Sequence, residues 1–82
     1  MKPETLLATG CLNHHSRLSL SDGSALSGVP SFFFPEEPGQ LYLIRSGDLI
    51  KAQPLSESND LSALRPFCVR VDLELVEQAE LI

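Results

Sequence analysis

Phe67-Cys68-Val69-Arg70-Val71-Asp72-Leu73-Glu74-Leu75 sets Phe67, Val69, Val71, Leu73 and Leu75 on one side of an extended chain and Cys68, Arg70, Asp72 and Glu74 on the other. Period-two alternation of this kind predicts a half-buried β-strand. Burying five such side chains yields roughly 10 kcal/mol gross, whereas ordering nine residues costs on the order of 13 kcal/mol. The strand therefore needs a larger sheet to hold it.

Turn signals cut the rest of the chain into pieces of strand length. Arg17 to Ser21 alternates around Leu18 and Leu20, and Asp22-Gly23 supplies the residues that tolerate positive φ in a two-residue hairpin turn before Ser24 to Val29 returns. That register opposes Leu18 and Leu20 to Ser27 and Ala25 and turns Leu26 away, unless a wider loop or a bulge moves it. A second hairpin is predicted where Gln40–Arg45 and Leu49–Gln53 flank Ser46-Gly47-Asp48. Its arms are apolar on both faces, which calls for a central position or for cover by a helix or a second subunit. Gln53 to Pro66 reads as a long connection in which Asn59 or Asp60 caps one helical turn from Leu61 to Leu64. Pro3 to Ala8 is legible as a short helix ending near Gly10 and equally as an edge strand, and Val76 to Ile82 as a helical turn or a strand resumed after a bulge.

Together these features predict a single small, mainly β domain over residues 1–82. Its architecture is a curved antiparallel sheet or barrel of five to six short strands with one or two helical turns. Within the second hairpin, Leu43-Ile44-Arg45-Ser46-Gly47-Asp48-Leu49-Ile50 resembles the second motif of Sm-like small β-barrel proteins, where an apolar-Arg-Gly-polar pattern turns between two strands. Ser46 separates the arginine from the glycine here. RNA binding is not carried over from it, and the small, strongly bent sheet is inferred from the residues themselves.

The chain has 82 residues, 43% of them hydrophobic and 21% charged, the balance of a folded soluble protein. Six Lys and Arg oppose eleven Asp and Glu, for a net charge of −5, and no basic cluster occurs, so neither nucleic acid nor an anionic membrane surface is an expected partner. The apolar run Leu6 to Ala8 is too short for a signal peptide, and no stretch approaches the roughly 18 residues of a membrane span. Two cysteines are too few for a disulfide framework, which points to a reducing cytoplasm. At the acidic end, Arg70 stands against Asp72, Glu74, Glu77 and Glu80. These charges suit either a solvated sheet face or a docking surface for a basic partner.

No catalytic constellation is present. Leu20-Ser21-Asp22-Gly23-Ser24 lacks the first glycine of a nucleophile elbow, and no glycine-rich phosphate loop occurs, so the chain is not expected to be an enzyme. Cys11-Leu12-Asn13-His14-His15 with the distant Cys68 contains zinc-ligand types, but structural zinc sites draw on two paired motifs and only one cluster exists, so no cofactor or metal is assigned. Between the hairpins, Phe32-Phe33-Phe34 is bracketed by Pro30 and Pro35. In extended chain these rings cannot all face one core: either both faces are covered and the rings fill a sparse core, or at least one ring is exposed and serves as an interface anchor on a stiff segment. Phe32, Phe33, Phe34 and Tyr42 are thus the candidate interaction residues. The expected role is a small protein-interaction module or accessory subunit acting through these aromatics or a free sheet edge, with a homodimer as the simplest assembly. The alternatives are a small-ligand or metal-binding sensor with His14 and His15 in its site, and an enzyme subunit completed by another chain.

Overall fold

The computed structural model describes all 82 residues, Met1–Ile82. Helix α1 (Pro3–Ala8) precedes strands β1 (Ser16–Leu20), β2 (Ala25–Ser31) and β3 (Leu41–Arg45). Helices α2 (Leu49–Glu57) and α3 (Leu61–Leu64) come next, followed by β4 (Cys68–Val71) and β5 (Val76–Leu81). All strand pairings are antiparallel, in the order β4-β3-β2-β1-β5. The expected mainly β architecture of five short strands is therefore what the chain adopts.

Consecutive strands β4 and β5 lie at opposite edges of this sheet. Four interstrand spacings would separate them by about 19 Å if the sheet were flat. The link Asp72–Leu75, tightened by a 3₁₀ turn over Leu73–Leu75, reaches only about 13 Å. The sheet must curl so that its edges approach at one end, although β5 pairs with β1 alone. The concave side encloses Leu6, Cys11, Leu18, Leu41, Leu43, Val71 and Val76.

The break at Asp72 corrects the single strand expected over Phe67–Leu75. Only Cys68–Val71 is extended in the sheet, and Phe67 belongs to a 3₁₀ turn. The Asp72 carboxylate accepts the Glu74 N–H at 3.1 Å, an Asx-type turn that redirects the backbone and leaves Leu75 45% exposed. Strand resumes at Val76, one of the two readings open for the C-terminal segment.

The first hairpin forms with a three-residue loop in place of the two-residue turn. Leu20 N–H donates to Ser24 O at 2.9 Å, Gly23 N–H donates to Leu20 O at 3.0 Å, and Gly23 sits at φ 89°. The extra loop residue shifts the register by one, so Leu18 now faces Leu26. Leu26 joins the core it otherwise would have missed.

The second hairpin does not form. Its first arm is β3, but Ser46–Asp48 is a 3₁₀ turn and Leu49–Glu57 is helix α2, so the strand-turn-strand implied by the resemblance is absent. Leu49, Ala52 and Leu55 recur at helical spacing and pack with Ile44 and Leu64, whereas Ile50 points outward at 91% exposure. Pro54 lies inside this helix, where it removes a backbone donor and normally costs about 3 kcal/mol. Burial of the Ala52 face outweighs that local penalty. The cover expected over β3 is supplied by this helical segment: Leu41 and Leu43 face the enclosed core, and Ile44 faces α2 and α3.

The remaining helical readings correspond to elements. Asp60 caps α3 by accepting the Ala63 N–H at 3.3 Å, and α1 has Pro3 in its first turn with Gly10 beyond its end at φ 75°.

Candidate functional site

The Phe32–Phe34 segment leaves β2 and distributes its rings to opposite sides, as an extended chain requires. Phe32 packs on the enclosed core and Phe33 on the cluster under α2, each half-buried. Phe34 is 2% exposed and meets the edge of Tyr42, itself 7% exposed, with ring centroids 4.9 Å apart. Arg65 lies over the Phe34 ring at 4.0 Å, held there by Glu36 and Glu37, while Tyr42 Oη donates to Glu37 at 2.9 and 3.0 Å. Phe34 and Tyr42 are thus internal to the domain. Of the four candidate aromatics, Phe32 and Phe33 keep surface to offer.

Phe33 also forms part of a cleft of about 400 Å³, which brings it together with His14 and His15. The loop carrying the histidines is pinned from several directions. Asn13 adopts φ 64°, uncommon for a residue with a Cβ, and its N–H donates to Pro30 O at 2.8 Å. Ser16, fully buried, donates its hydroxyl to His14 O at 2.8 Å and Cys11 O at 3.2 Å. His15 Nε2 shares a 2.6 Å hydrogen bond with Ser46 Oγ. The opposite wall is one face of α2: Leu49, Gln53, Ser56 and Glu57. The sequence pattern assigns Leu49 and Gln53 to a strand and Ser56 and Glu57 to the connection after it, and so separates residues that the helix brings onto one face. Their i, i+4, i+7, i+8 spacing was the available signal.

Cys11 and Cys68 do not join the histidines. Cys11 is buried with its Sγ 4.0 Å from Thr9 O, and Cys68 lies under the helices with its Sγ 3.6 Å from Leu64 O. No three His, Cys, Asp or Glu side chains converge to hold a metal ion. A larger cleft of about 770 Å³ lies by Gln40 and the Asp72 turn, where the Met1 amino group, Lys2 and Arg70 mingle with Asp72 and Glu74.

The edge formed by β5, one of the two edges of the sheet, is the third feature. The exposed residues of β5 are Glu77, Gln78, Glu80 and Leu81, while Val76 is buried and Ala79 half-buried. Its pairing with β1 slips between Ser19 and Leu20, so Glu77 has no partner residue opposite it. No helix is long and apolar enough to cross a membrane. No family model matches the chain, and neither a curated protein nor a solved structure matches it.

Proposed function

We propose that the protein is a non-enzymatic protein-interaction module that docks a basic, extended segment of a partner along the outer edge of β5. The observation that carries this reading is a six-residue strand with one neighbour, whose charged side chains are all carboxylates. In an antiparallel edge strand every second residue directs its N–H and C=O away from the sheet, and an added strand satisfies them. Glu77 and Glu80, preceded by Asp72 and Glu74, select Lys and Arg on that strand.

The same charges disfavour a second copy on this edge. Fully overlapped two-fold pairing of β5 sets Glu77 of one protomer against Glu80 of the other, twice, and like charges directly opposite destabilise a strand pair. A reducing cytoplasm suits the reading, since Cys11 and Cys68 are both free thiols.

The test is amide exchange of β5, followed by NMR, with a peptide alternating Lys and Val and with its counterpart alternating Glu and Val. The basic peptide is expected to slow exchange along Val76–Leu81, and charge reversal by Glu77→Lys with Glu80→Lys to abolish the effect. Equal response to both peptides overturns the reading, as does a homodimer in which the β5 amides are already protected.

A further inference from the structure

We propose that the cleft between the Asn13–His15 loop and α2 is a binding site for a small organic amine with an aromatic or apolar body. Its floor is apolar, made of Val29, Phe33, Ile44 and Leu49. Its rim carries hydrogen-bonding groups and one formal charge, the carboxylate of Glu57, with no Lys or Arg in the lining. At about 400 Å³ the space falls within the range of small-molecule sites.

The charge pattern decides the ligand class. A phosphate or carboxylate would enter a cleft with no Lys or Arg to meet it, on a protein of net charge −5. An ammonium group meets Glu57, whose Oε1 is 3.4 Å from Gln53 Nε2, and can also be held over the half-buried Phe33 ring. An aromatic or alkyl body then covers the apolar floor, which a bare inorganic cation could not do. The rim is preformed: Asn13 is anchored to Pro30 and His15 to Ser46, so little ordering is left to binding.

This site shares no residue with β5, and the two proposals fail separately. The experiment is an NMR titration of the full chain with phenethylamine and with 3-phenylpropanoate, a carboxylate with a similar aromatic body. The amine is expected to give saturable shifts at the Val29, Ile44 and Leu49 methyls and the His14 and His15 ring protons. The carboxylate is expected to give none there. Glu57→Gln, at an exposed position that leaves the fold intact, is expected to weaken the amine by about tenfold, while Glu80→Gln leaves it unchanged. Equal binding of amine and carboxylate, affinity indifferent to Glu57→Gln, or no saturable shift in the millimolar range each overturns the proposal.

Discussion

Gly28 on β2 lies directly against the backbone carbonyl of Ile44 on β3: a Cβ at Gly28 would overlap the Ile44 oxygen and sit 2.8 Å from its carbonyl carbon. The obstacle is main chain in the middle of the sheet, where no flexible side chain can yield.

Gly28→Ala is therefore expected to destabilise the fold by about 3 kcal/mol, at the upper end of overpacking costs, because two strands must move apart. Gly47, with open space around it and no positive φ, is the matched control, and Gly47→Ala is expected to stay within about 0.5 kcal/mol of the parent. Urea unfolding of the two variants checks the pair.

Ile50 and Ala52 distinguish helix α2 from the hairpin arm that the sequence suggested. A strand would place them on one face, whereas the helix leaves Ile50 91% exposed and buries Ala52 completely. Ile50→Lys is expected to change stability by less than about 0.5 kcal/mol. Ala52→Lys forces a charge against Ile44 and Leu64 and is expected to cost at least about 3 kcal/mol. Similar effects from both substitutions, read by thermal or urea unfolding, would contradict the helix.

Acid should weaken the protein in part through Glu37. The hydrogen bond from Arg65, and after it the one from Tyr42, hold the Glu37 carboxyl below its ordinary value of 4.5. A pKa lowered on folding stabilises the native state fully above the unfolded value, and that contribution disappears as pH falls through the folded value. The urea midpoint is thus expected to hold steady down to about pH 5 and then decline. Glu37→Gln should lower the midpoint at neutral pH and shallow the acid decline. A remainder should persist from Asp22, whose pKa the Ser24 hydroxyl lowers.

Both thiols should be sluggish in the folded chain. Cys11 is fully buried, and burial raises the Cys68 pKa against the opposing pull of Arg65. Alkylation at pH 8 is expected to be at least about tenfold slower in buffer than in urea. Equal rates in the two conditions would show that neither thiol is shielded.

Much of the local structure was written in the sequence. Alternation in Arg17–Ser21 with Asp22-Gly23 specified a hairpin, Pro3 and Gly10 marked the helical one of the two readings open for Pro3–Ala8, and Asn59-Asp60 before Leu61–Leu64 specified a capped turn, because each depends on residues within a few positions of one another. Of the sites, the sequence singled out His14, His15 and Phe33 by residue type. It did not bring them together, because the turn residues Ser46-Gly47-Asp48 suggested a strand over Leu49–Gln53 and a connection after it, which splits the α2 wall between two elements.

Tertiary structure decided the features that rest on long-range partners. Phe67–Leu75 keeps its period of two across a strand, a turn and the approach to another strand, since alternation survives a sharp change of direction. Only the pairing of β5 with β1, some sixty residues earlier, requires the break at Asp72. Leu49–Glu57 is helical because Leu49, Ala52 and Leu55 find Ile44 and Leu64 to cover, a gain larger than what Pro54 takes away. Short-range chemistry chose the hairpin and the caps; burial of surfaces distant in the chain chose the curl of the sheet, the helix over β3 and the edge left open at β5.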